Sequence, residues 1–339
     1  SAASDVYKRQ SQNAYPIRIS VKEGTDMTSL APIFELTPGA TISPASGSVQ
    51  NFTTPVRYTV TSEDKAWHRV YAITAREQKA SNIPTTYHFE KVRIMQNVWQ
   101  EFYEEQDSGN ELTWASGNKG FKWAMSEAAT EDYPTTQIDN GKTGKCVKLE
   151  TRLTGDLGNM VGMPIAAGNL FIGSFDMLNA ITNPLSATRF GTPFYNKPLR
   201  LTGYYKYKAG EQFYENGEYT SRKDIFNIYA IFYDGVKYDS AGKGTDVTLD
   251  GNLPNQNYEH SSMVALALVS NPQETEGDEW KFFDIPFDYQ RYGKKIDEAR
   301  LAKGEYKIGI IFASSKDGAT FEGAPGSTLL IDEVELIYE

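Results

Sequence analysis

One cysteine, three histidines and no long apolar run narrow what this 339-residue chain can be before any motif is read. The single Cys146 excludes an intrachain disulfide framework and a cysteine-based zinc site. His68, His88 and His260 stand far apart, and none sits in the HExxH spacing of a zinc hydrolase. The longest apolar stretch, Ser262 to Val269, is the length of a buried strand and far short of the ~20 residues that cross a bilayer as a helix. Positive charge is also short: 34 Lys and Arg against 44 Asp and Glu leave a net charge of -10, the wrong sign for a nucleic-acid groove. Helical periodicity is scarce as well, with Ile296 to Lys303, ahead of Gly304, the one convincing short helix.

What fills the chain is alternation. Its length allows two domains, and its apolar content supports ordinary packed cores. Ser1 to Gln10, with DVYKRQ at its end, reads as adaptor-derived sequence and is set aside, so the native N-terminus and any lipid anchor are expected to be missing. From residue 11 to 79, strands at Tyr15–Val21, Tyr58–Thr61 and Val70–Thr74, with shorter ones at Phe34–Leu36 and Thr41–Pro44, alternate with Gly and Pro turns. That rhythm predicts a small β-sandwich, with Trp67 and His68 on its surface. A polar linker follows, and residues 80–339 predict about nine strands with long loops, a jelly-roll-like sandwich. Tyr87–Met95 reads as a strand, and Lys145–Leu153 alternates with Val147, Leu149, Thr151 and Leu153 inward. Leu199–Lys208 alternates with Tyr204 on the face opposite Tyr205 and Tyr207, and Ile225–Tyr233 and Ser262–Val269 are apolar on both faces and read as central strands.

The final stretch, Tyr306 to Tyr338, carries two core strands joined by a hairpin or crossover through a polar loop. Period-two counting puts Leu330, Val334, Leu336 and Tyr338 on one apolar row with Asp332 as its single charge. A carboxylate there needs a partner, because burying it alone is costly.

The first module, with VKEGTDMTSLAP and TPGATISPASGSVQNFTTPVRYTVTSEDKAWHRVYAITA, resembles the immunoglobulin-like spacer of gut Bacteroidetes surface lipoproteins. In the second, WASGNKGF, KLET, AAGNLFIGSFD, RFGTPF, LTGYYKY and ASSKDGATFEGAPGSTLLIDEVEL together resemble the putative carbohydrate metabolism domain family. The resemblance implies an all-β, exported, lipid-anchored protein at the outer-membrane surface or in the periplasm. Its implied partners are oligo- or polysaccharides and other outer-membrane glycan-uptake proteins.

Gly141-Lys142-Thr143 lacks the upstream glycine and strand-to-helix setting of a phosphate loop and reads as a turn. No Gly-x-Ser-x-Gly elbow is present. Glycoside hydrolysis asks for two carboxylates, and Glu101, Glu104, Glu150 and Glu322 stand beside aromatics or glycine-rich loops, Glu322 and Glu150 leading. Sugar binding asks for aromatic platforms beside polar groups. Trp114 with Asn118, Arg189 with Phe190, and Tyr204 offer these, as do Ser314 and Ser315 at the rim of the last loop, while Tyr205 and Tyr207 read as core. Jelly rolls that bind carbohydrate often hold a structural calcium between first and last strands, and Glu90 with Asp332 resembles that arrangement. The alternative for Asp332 is hydrogen bonding to backbone or to an arginine.

Overall fold

The computed structural model describes residues 14–22, 24–78, 83–106 and 109–339. Ser1–Gln10 lies outside them. The chain forms two compact units, residues 1–80 and 81–339.

In the first unit Tyr15–Lys22 runs parallel to His68–Gln78, which pairs antiparallel with Val56–Thr61, which in turn pairs with Thr41–Ser43. Tyr58, Ile73 and Ala75 project from one face onto Phe52, and Met27, Leu30 and Phe34 pack around them. Phe34 lies against Tyr58, with ring centroids 4.7 Å apart. The Phe34–Leu36 segment pairs with no strand. Its layer is held instead by the Leu30 and Gln50 backbone bridge. Trp67 is exposed, and the Arg69 guanidinium sits 4.7 Å over its ring.

The second unit is a sandwich of two antiparallel sheets. One has six strands: Lys281–Pro286, Pro198–Lys208, Thr328–Tyr338, Lys145–Glu150 and Thr135–Asp139 in that order, with Thr86–Tyr87 also paired to Thr328–Tyr338. The other has five: Asn169–Phe171, Tyr306–Ala313, Asn227–Asp234 and Met263–Leu268, with Thr192–Phe194 also paired to Tyr306–Ala313. The two final strands therefore belong to different sheets, and the polar loop between them is a crossover. Leu149, Leu201, Tyr205, Leu329 and Ile331 of the first sheet meet Ile228, Ala230, Phe232, Ile310 and Phe312 of the second in one core.

Asn227–Asp234 is central, as its two apolar faces predict. Met263–Leu268 ends the second sheet, and Asp288 covers its free edge by exchanging backbone hydrogen bonds with Leu266. The two-sided burial arises because the second sheet carries another core on its outer face, built from Phe171, Phe190, Tyr229, Ile231, Tyr233 and Ile311 among others.

Three expected strands are interrupted. Tyr87–Met95 splits at Phe89, which takes φ 55° while its N–H donates to Glu104 Oε1 at 2.9 Å. Lys145–Leu153 breaks at Thr151, and Leu153, expected inward, is 52% exposed. The third interruption is a β-bulge. Thr202 pairs with Glu335 and Tyr204 with Asp332, so Glu333 (φ 49°) and Val334 share the space opposite Gly203. The bulge reverses the alternation: Leu329 and Ile331 point inward before it, Val334 and Leu336 after it. Asp332 thus leaves the core row and faces the other way. The predicted helix is present as Glu298–Ala302, its first turn capped by the Asp297 carboxylate.

Candidate functional site

Asp332 is fully buried outside the core, beneath the turn that joins Thr135–Asp139 to Lys145–Glu150. Its Oδ2 accepts from Thr143 N at 3.0 Å and its Oδ1 from Glu333 N at 2.8 Å. Burial pushes its carboxyl up to about 6, against the pull of those amides. Glu90 grips the same turn, accepting from Lys145 N at 2.8 Å. Glycine is required under both grips: a Cβ on Gly141 would stand 2.6 Å from Asp332 Oδ2, and one on Gly144 (φ 62°) would collide with Glu90. Gly141-Lys142-Thr143 is accordingly a turn held by two carboxylates. These residues do not fit calcium, which gathers six to eight oxygens. Here the carboxylates face N–H donors, and among the described residues no group of three or more His, Cys, Asp or Glu could hold a metal.

Over the neighbouring part of the same sheet the outer face is partly exposed. Tyr204 and Lys206 alternate with buried Tyr205 and Tyr207, and on the adjacent edge strand Phe282 and Asp284 alternate with buried Phe283 and Ile285. Tyr204 and Phe282 are cross-strand partners with ring centroids 5.2 Å apart, and Phe282 is 53% exposed. Lys142 Nζ stands 4.9 Å over the Tyr204 ring, and Lys206 Nζ stands 5.1 Å over Trp280. Polar groups border the rings: Lys206 meets Asp278 at 2.6 Å and Arg200 meets Asp284 at 2.7 Å. Three aromatic side chains beside charged hydrogen-bonding groups suit the apolar C–H faces and the hydroxyls of a sugar chain.

Several expected ligand groups lie elsewhere. Trp114 is a core anchor wedged against Tyr87, Phe89 and Phe312. Asn118 is fully buried, its amide closing two bonds with the Thr135 backbone at 2.7 and 3.1 Å. Phe190 is buried edge-on to Phe171, while Arg189 beside it is exposed. Ser314 and Ser315 are buried and both bond Thr151, at 2.8 and 2.5 Å. Ser315 also donates to Asp224 Oδ2, as do Ser327 and Ala324 N. This carboxylate, whose pKa burial raises, fixes both ends of the crossover loop, so the two serines serve its architecture rather than its rim.

The expected carboxylates also separate. Glu104 is buried and spent on Phe89 N, and burial raises its pKa. Glu101 faces Arg93 at 3.7 Å. Glu322 is half-buried on the crossover loop. Glu150 alone lines a cleft, of about 720 Å³, between residues 121–132, residues 150–153 and the Pro325-Gly326 bend. There the Arg152 guanidinium bridges Glu150 at 3.1 Å and Asp132 at 3.8 Å, and Lys148 meets Glu150 at 3.1 Å.

Residues 88–337 match the model of the family described as "Putative carbohydrate metabolism domain". The chain belongs to this family. Residues 3–75 match a second model, "SGBP, N-terminal", which begins inside the stretch set aside as adaptor-derived. A structure described as a putative glycoside hydrolase from Bacteroides thetaiotaomicron is 46% identical, covers 96% of this chain and 91% of its own, and superposes with a TM-score of 0.69. Another so described, from Bacteroides vulgatus, is 50% identical over 77% of this chain and 100% of its own, with a TM-score of 0.71. No curated protein matches the chain.

Within this carbohydrate metabolism domain, sequence reasoning found Tyr204 and Glu150 but missed Phe282, Trp280, Asp132 and Arg152. A signal for Phe282 was present. Adjacent phenylalanines in one strand must point to opposite faces, so one of Phe282 and Phe283 had to leave the core.

Proposed function

We propose that this protein binds glycans, laying an oligosaccharide across the outer face of the first sheet. The observation that carries the reading is the pairing of half-buried Tyr204 with exposed Phe282, extended by Trp280 and bordered by the Lys206–Asp278 and Arg200–Asp284 pairs. Stacking on the rings removes the C–H faces of the sugar from water, while the paired charges offer both donors and acceptors to its hydroxyls. Membership of the family and the match of the first unit to the N-terminal module of surface glycan-binding proteins support the same reading. We place the protein outside the cytoplasm, at the outer-membrane surface or in the periplasm, where other glycan-uptake proteins are its natural neighbours. No helix among the described residues is long and apolar enough to cross a membrane. The test is a glycan array followed by calorimetry on the hits with Tyr204→Ala and Phe282→Ala. Binding that survives both substitutions unchanged would remove the site from this face.

A second reading, hydrolysis of a glycosidic bond, is favoured by the cleft in which Glu150 and Asp132 share one guanidinium and by the two relatives described as putative glycoside hydrolases. Two carboxylates on the wall of one cleft are what the reaction asks for. Chromatography of glycan digests decides it: products formed by the native chain and lost in Glu150→Gln would establish turnover there, and no products from any bound glycan would dismiss it.

A further inference from the structure

The outer core of the second sheet is incompletely filled. Between the floor formed by Phe171, Phe190 and Ile311 and a roof that includes the helices Asn118–Ala124 and Met177–Thr182 lies a cavity of about 170 Å³. Several of its polar neighbours are already engaged, and Thr188, Tyr229 and Lys316 also border it. Asn227 Nδ2 donates to Tyr258 Oη at 2.8 Å, Asn169 Oδ1 accepts from Gly117 N at 2.7 Å, the Ser315 hydroxyl belongs to the Asp224 network, and Thr154 Oγ1 donates to Met163 O. With those four groups committed, water inside finds few of the two to four partners that hold a buried molecule, whereas an apolar cavity of ~150 Å³ stays dry and accepts benzene. Trp123, 37% exposed, and Ile181, 45% exposed, line the cavity and also reach solvent, so its mouth is apolar too. Phe121 and Ala124 form a wall common to this cavity and to the cleft that holds Glu150.

We propose that this cavity is a binding site for a compact uncharged hydrocarbon group, a single aromatic ring or a short alkyl chain, free or as the apolar end of a larger molecule. The inference does not depend on glycan binding at the first sheet. It depends on volume, on the mainly apolar lining and on the prior commitment of the Asn227, Asn169, Ser315 and Thr154 side chains.

Fluorobenzene is the probe, followed by fluorine NMR on the full chain. Saturable binding is expected, with displacement by excess toluene. Ala180→Leu and Ala319→Leu fill the cavity from two positions on its lining, and each should weaken binding roughly tenfold or more while thermal unfolding shows the fold intact. Absence of saturable binding to the native chain would overturn the proposal, and that measurement needs no variant. Equal binding by both filled variants would overturn it too, moving the probe to the exposed apolar rim. A second arm compares phenyl with methyl β-glycosides of the same sugar. Tighter binding of the phenyl member, lost in the filled variants, would identify a group carried on a sugar. Equal binding of the two, with fluorobenzene still bound, would identify a free small molecule.

Discussion

The two sheets share one core and differ in what they turn outward. On the second sheet the outward row of Tyr229, Ile231 and Tyr233 is roofed by the chain between residues 171 and 190 and between 249 and 263, and becomes a second core. On the first sheet the outward row of half-buried Tyr204 and Lys206, with exposed Phe282 and Asp284 beside it, carries no such roof beyond the Asp332 turn. The same alternation thus produces an extra layer of stability in one place and an accessible aromatic face in the other. The difference lies in the insertions and not in the strands.

Substitutions that treat the two faces alike should separate them. Phe190→Ala, beneath the roof of the second sheet, is expected to cost about 3–5 kcal/mol in urea unfolding. A small loss would mean that the roof is no true core. Asp224→Ala should cost about 2–3 kcal/mol, because it strands the Ser315 and Ser327 hydroxyls and Ala324 N away from water. Phe282→Ala, on the open face, should cost less than about 1 kcal/mol in stability yet lower affinity for a bound glycan roughly tenfold, a dissociation read by pairing unfolding with calorimetry.

The smallest effect concerns the one covered patch of the open face. The folded pKa of Asp332, about 6, stands above its ordinary value of 3.8, so the native state keeps this proton longer than the unfolded chain. The contribution of Asp332 is therefore full below about pH 4 and declines as pH rises toward 6. Unfolding measured across that window should show native stability falling relative to Asp332→Asn. Parallel pH profiles would mean that the turn does not shield the carboxyl.

Much of the fold was legible because alternation is a local property. Pro198–Lys208 and Asn227–Asp234 could be placed from their own residues, and so could the outward direction of Tyr204 and the burial of Tyr205 and Tyr207. Asp332 was misplaced because counting by twos fails across a bulge, and nothing in the residues around Glu333 marks the extra position. Ser314 and Ser315 looked like rim residues because the partners that hold them lie far back in the chain, Thr151 for both and Asp224 for Ser315. The helices Asn118–Ala124, Gly155–Met160 and Met177–Thr182 are too short to show a helical period, and with them the exposed Trp123 and the cavity below went unread. The site residues found first were those whose direction their own strand determines, and those missed depend on what another segment lays over them.

The bulge in the last strand also limits how the protein can change. Position 203 opposite it must stay small, since an added Cβ there would stand 2.7 Å from the Phe283 ring and 2.9 Å from Val334. Removing the extra residue alone would straighten the strand beside Asp332 and the turn it grips, and enlarging residue 203 alone would collide with its neighbours. Drift or design must alter both strands together, which makes positions 203 and 333 a coupled pair and gives the register of the sheet a lock with two keys.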